Sequence, residues 1–157
     1  MTDNEAPGFP GAFFSMAERI LSAGVVVVRR VDDAWRVLLL RVYNYWDFPK
    51  GTVEPGEEPL ATARREVREE TTIDDLDFRW GASFVETAPY SKNKVARYFL
   101  AATNTVDVKL PVNPQLGVPE HHEYRWLAFD NARKLAVPRV AAVLDWAIDR
   151  LSSQAAS

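Results

Sequence analysis

Glu66, Glu69 and Glu70 stand at i, i+3 and i+4 within the segment GTVEPGEEPLATARREVREETTI, Gly51 to Ile73. A helix turns by about 100° per residue, so a helix through this segment carries all three carboxylates on one arc. The adjoining arc holds Leu60, Ala63, Val67 and Thr71, which is the face that packs on a core. Arg65 lies one turn before Glu69, and Arg64 and Arg68 fall on the far side, toward solvent. Like charges at this spacing repel by about 0.2–0.5 kcal/mol. They also stand near the negative end of the helix dipole, which costs about 0.3–1 kcal/mol more. A divalent cation reverses both penalties. The alternative is a solvated acidic face. The chain has no cysteine and only two histidines, adjacent in sequence, which excludes disulfides, iron–sulfur clusters, thiolate zinc and a multi-histidine cage. A metal bound here is hard and oxygen-ligated.

The elements that must position these carboxylates follow from pattern. Ala23–Arg30 and Trp35–Val42 are β-branched and apolar runs joined by a turn at Val31–Ala34. An aromatic stretch, Tyr43–Lys50, leads into a Pro/Gly-rich loop, Pro49–Pro59, and Pro59 suits the first position of the helix that follows. Phe78–Thr87, Val95–Thr103 and Glu123–Phe129 read as further strands, and Asn104–Glu120 as a long loop of the kind that is often functional. Asp130 is placed as the N-cap of a short helix to Leu135, and Pro138–Leu151 forms a terminal amphipathic helix. The order of elements predicts a mixed α/β domain rather than a strictly alternating parallel one.

With 157 residues, one domain is expected, over 18–151, between a weakly structured N-terminal tail, 1–17, in which Phe13 and Phe14 could dock, and a short C-terminal tail, 152–157. A net charge of −3 gives no general attraction to nucleic acid or an anionic membrane. The purely aliphatic runs fall far short of a membrane span and the start lacks a basic, then apolar, leader, so a cytoplasmic protein with no membrane partner is expected.

Gly51, Glu57, Arg65, Glu66, Val67, Glu69, Glu70 and Ile73 match the Nudix box, G-x5-E-x7-R-E-U-x-E-E-x-G-U, where U is aliphatic. Six fixed positions arise by chance in such a chain with a probability of roughly 10⁻⁵ at average residue usage. Thr72 departs from the pattern, standing where the box has a helix-ending glycine, often at positive φ. Within the Nudix hydrolases the chain most resembles the diadenosine tetraphosphate (Ap4A) hydrolases, through Trp46–Glu57, Lys92–Leu100 and Glu120–Leu127. The resemblance implies a Nudix fold, a mixed β-sheet sandwiched between helices.

It also implies roles. Mg²⁺, with Mn²⁺ able to substitute, is held by Glu66, Glu69, Glu70 and, from a loop across the site, Glu120. Glu69 is the first choice for the base that activates water and Glu66 the second; Arg65 braces Glu69 or Glu57, and Glu57 supports the cluster. Lys50, beside Gly51, and Lys94 are candidates for the phosphate chain, with Lys92 third. Tyr124 is a candidate stacking surface for a nucleobase, and Tyr90 replaces the tyrosine that the family often has where Thr87 stands. His121 and His122 read as hydrogen-bonding loop residues rather than ligands. The function implied is asymmetric hydrolysis of Ap4A to ATP and AMP. The alternatives are removal of pyrophosphate from RNA 5′ ends, attack on another nucleoside diphosphate derivative, and a module that binds nucleotides without catalysis.

Overall fold

Strand β1 (Ile20–Val31) is apolar on both faces because it runs through the middle of the sheet. Ala23, Val25 and Val27 point to one side and Val26 and Val28 to the other. The computed structural model describes residues 19–156. The tail expected over 1–17, with Phe13 and Phe14, lies outside them.

β1 turns through Asp32 and Asp33, both at positive φ (50° and 65°), into β2 (Ala34–Val42). A two-residue loop with that backbone matches the twist of a hairpin. β3 (Tyr45–Asp47) and β4 (Lys50–Thr52) follow, with β3 against β2 and β4 against the first half of β1. Helix α1 (Pro59–Thr71) begins on the expected proline. The later strands are β5 (Phe84–Glu86), β6 (Lys94–Ala102), β7 (Val112–Asn113), β8 (Val118–Pro119) and β9 (Glu123–Ala128). Helices α2 (Phe129–Leu135) and α3 (Pro138–Ala156) complete the order. β6 lies parallel to β1 and β9 antiparallel to β2, giving a seven-stranded mixed sheet. One core packs under α1, through Ala63 and Val67. The other packs under α2 and α3, through Ala132, Val140, Val143, Leu144 and Ala147. This is the mixed sheet between helices that the sequence predicts.

Five features differ from that expectation. The strand expected over Phe78–Thr87 is reduced to Phe84–Glu86, because Gly81, at φ +86°, donates its N–H to Phe78 and turns the chain away. The stretch taken as a loop from Pro49 contains β4, and the loop over Asn104–Glu120 contains the small β7–β8 hairpin. Asp130 does not cap α2: Ala128 does, without a side-chain bond, and Asp130 sits in the first turn, where its charge still suits the dipole. The terminal helix, expected to end at Leu151, runs to Ala156. Among the described residues no helix is long and apolar enough to cross a membrane.

Candidate active site

α1 carries the acid residues as its periodicity predicts, but the arc is not uniformly wet. Glu69 is 56% exposed, Glu66 13% and Glu70 only 6%. Arg64 and Arg68 face solvent. The difference among the three glutamates comes from β4 and the segment before β9, which close over the Glu70 end of the arc. Lys50 N–H points at Glu70 Oε1, 3.4 Å away, and His121 Nδ1 lies 3.9 Å from the same oxygen.

Gly51 has a steric reason. A Cβ there would lie 2.1 Å from the Glu66 Cδ and 2.3 Å from both carboxylate oxygens. The Glu66 carboxylate occupies the space that glycine leaves open.

Arg65 ties three acids together. Its Nε donates to Glu57 Oε2 (2.7 Å) and its Nη2 to Glu57 Oε1 (3.0 Å), a bidentate pair. Its Nη1 donates to Glu66 Oε2 (2.9 Å) and Glu69 Oε1 (3.1 Å). Glu57 Oε1 also accepts from the Thr62 hydroxyl (2.6 Å) and the Glu54 N–H (3.0 Å). Arg65, then Thr62 and Glu54, hold the Glu57 carboxyl down at about 2, and the Glu57 pair raises Arg65 above its ordinary value. The sequence offers Glu69 or Glu57 as partners of Arg65; the fold gives it both, and Glu66 as well.

Glu70 is the opposite case. Burial pushes its carboxyl well above the usual range, and the charges of Glu120 and Glu66 push the same way against Lys50. Its Oε2 is buried with no hydrogen-bond partner. Glu70, Glu120 and His121 present ligand atoms all within 4.8 Å of one another. Burial lowers the affinity of the His121 ring for its proton, leaving a neutral nitrogen. An orphaned carboxylate oxygen in a dry spot is costly, and a hard cation held by oxygens and one imidazole removes that cost. The donor set therefore fits a divalent metal.

A cleft of about 750 Å³ joins these groups, with Lys50, Gly51, Arg65, Glu66, Glu69, Glu70, Glu120 and His121 in its lining. Glu57 stands behind Arg65. Lys94, Tyr90 and Tyr124 are not in the lining. Tyr90 packs on the α3 core with the Arg139 guanidinium 4.1 Å from its ring, and Tyr124 packs on the α1 core. Lys94 closes the turn before β6 through main-chain bonds to Tyr90. His121, read from the sequence as a hydrogen-bonding loop residue, stands among the possible metal ligands, and Thr62 is the residue that the sequence does not point to. The adjacency of His121 to Glu120 was the available signal; Thr62 had none.

Fold and site define the class: the chain belongs to the Nudix family, the NUDIX domain matching residues 18–147. It is similar to the asymmetrical bis(5′-nucleosyl)-tetraphosphatase of Sus scrofa, 37% identical over 127 residues, 73% of this chain and 83% of that protein. It is also similar to the RNA pyrophosphohydrolase of Pelagibacter ubique, 26% identical over 129 residues, covering 72% of this chain and 73% of that protein. Among solved structures, a binary complex of Caenorhabditis elegans Ap4A hydrolase superposes with a TM-score of 0.71 at 26% identity, over 84% of this chain and 98% of that one.

Proposed function

We propose that the chain hydrolyses a phosphoanhydride bond of a dinucleoside polyphosphate, cutting Ap4A asymmetrically to ATP and AMP with Mg²⁺, or Mn²⁺ in its place. The observation that carries this reading is the orphaned Glu70 Oε2 beside Glu120 and His121, on the cleft that Glu66, Glu69 and Lys50 share. Glu66, Glu69, Glu70 and Glu120 would hold the metal, with His121 joining them. Bound there, the ion neutralises phosphate charge and acidifies water.

The chain's own groups divide the remaining work. Glu69, the most exposed of the three helix carboxylates, takes a proton from the attacking water; Glu66 is the second choice. Arg65 keeps both aligned from one guanidinium, and Glu57 anchors that guanidinium. The Lys50 ammonium meets the phosphate chain beside Gly51, whose missing side chain admits Glu66. Lys94, read for the phosphate chain, and Tyr124, read as a base-stacking surface, lie outside the cleft lining and are not assigned to substrate. Tyr90 is not assigned to substrate, since Arg139 covers its ring. The full acid set argues against a module that only binds, which needs no base.

One experiment tests the reading. The pure protein is incubated with Mg²⁺ and Ap4A, ADP-ribose, NADH or triphosphorylated RNA, and the products are identified in ¹⁸O-water. Ap4A is expected to be consumed fastest, giving ATP and AMP with label in one of them. Glu69→Gln should lower that rate by at least about 10²-fold. Products dominated by ADP, or faster turnover of the RNA, would overturn it. Tight binding without turnover would support the sensing module.

A further inference from the structure

The chemistry above uses one wall of the cleft. The other is formed by six consecutive residues without an ionisable side chain, Leu110, Pro111, Val112, Asn113, Pro114 and Gln115. They belong to the β7–β8 hairpin and the strand of chain that enters it. The hairpin is short, pairing only Val112 with Pro119 and Asn113 with Val118. A pair of strands that small does not hold itself together by apolar packing. Asn113 does much of the work instead. Its carbonyl accepts the N–H groups of Leu116 (3.0 Å) and Gly117 (2.8 Å), and its side-chain oxygen accepts that of Gln115 (2.8 Å). Its amide nitrogen then donates to Glu120 Oε1 at 3.4 Å. One residue, through its carbonyl and its side chain, thus fixes the shape of the hairpin and its distance from the acids.

Val112 is 60% exposed at the cleft. Among the described residues none covers it. A ligand that enters the cleft and covers this apolar surface gains by removing it from water. The cleft also has the volume of a small-molecule site. Its two walls differ in a way that matches one kind of ligand: charged groups on one side, an uncharged and partly apolar face on the other. A nucleoside polyphosphate is anionic along its phosphates and flat and neutral at its base.

We infer that the β7–β8 hairpin is the nucleobase wall of this site. One base of the substrate lies against Val112 and Pro114, the Gln115 amide offers hydrogen bonds to its edge, and the phosphates run along the acid wall. The inference rests on the reading that the substrate is a dinucleoside polyphosphate, and it adds which residues select the base.

The test uses the full chain with Mg²⁺, comparing wild type, Val112→Ser and Val112→Ile. Two quantities are read: KM and kcat for Ap4A, and the inhibition constant of inorganic tetraphosphate, which has no base. Val112→Ser should raise KM by about three- to tenfold, the loss expected for one or two buried methyl groups. kcat should stay within about twofold, as for lost uniform binding, and inhibition by tetraphosphate should not change. Val112→Ile should bring KM back. A wild type that cuts Ap4A with a KM indifferent to Val112→Ser would overturn the wall alone. A parallel rise in KM and in the tetraphosphate constant would also overturn it, because the change would then act through Glu120. A wild type that does not cut Ap4A would overturn the substrate reading, and the wall with it.

Discussion

Arg65 clasps Glu57 across eight residues of sequence, with two parallel hydrogen bonds of 2.7 and 3.0 Å. The clasp joins the loop before α1 to the middle of that helix. It leaves the last nitrogen of the guanidinium free to hold Glu66 and Glu69. The acid cluster is built outward from this pair.

The pair makes a prediction about acid. The Glu57 carboxyl is held at about 2 in the folded chain against an ordinary value of 4.5. A depressed folded pKa gives stability that is full above the unfolded value and is lost as pH falls through the folded one. Wild type should therefore melt higher than Glu57→Gln at pH 6, and the gap in Tm should narrow as pH falls from 4.5 toward 2. A gap that does not depend on pH would mean that Glu57 acts through packing and not through its charge.

Gly51→Ala tests the space around Glu66. The new methyl would collide with the Glu66 carboxylate, the far end of a flexible side chain, so the fold has a way to yield. Activity does not, since the end that moves is part of the site. A misplacement of about 1 Å can cost 10²-fold in rate, and a loss of that order is expected. Tm should fall by less than about 4 °C, the shift for roughly 1 kcal/mol. Turnover near that of wild type would show that Glu66 does no chemistry.

Thr72 closes α1 at φ 65° and ψ 4°, with its N–H on the Arg68 carbonyl. The left-handed conformation is one that a β-branched residue tolerates badly. Glycine at this position removes the strain, so Thr72→Gly should stabilise by about 1 kcal/mol and raise Tm by about 2–4 °C. Thermal denaturation measures it directly. A fall in Tm would mean that the chain entropy of glycine outweighs the strain.

Glu70→Gln tests the metal. Glutamine keeps the shape of a side chain that is only 6% exposed and removes its charge. Without metal, the variant should melt slightly higher than wild type, because the repulsion from Glu120 and Glu66 is gone. With Mg²⁺ at a hundredfold excess over Kd, a native-state ligand is worth about 2.7 kcal/mol, on the order of 5–10 °C here. Wild type should show that shift and Glu70→Gln much less of it. Equal shifts would remove Glu70 from the ligand set.

The sequence by itself determined the helix, its start at Pro59 and the side on which the acids lie. All of these are local: they follow from a rotation of about 100° per residue and from the proline that a helix start accepts. The runs Ala23–Arg30 and Trp35–Val42 likewise read as two strands joined by a turn. Tertiary structure alone decided which acid is dry. Glu69 and Glu70 are neighbours in sequence, yet one is 56% exposed and the other 6%, because β4 and the His121 segment close over only one of them. It decided that Arg65 reaches three carboxylates, that His121 joins Glu70 and Glu120, and that an uncharged hairpin faces the acids from inside a stretch that reads as loop. It also turned Tyr90 toward α3, under Arg139. These depend on which segments, far apart in the chain, meet at the ends of the strands. Residue spacing is set along the chain, whereas burial and the partners of a charge are set by what packs across it.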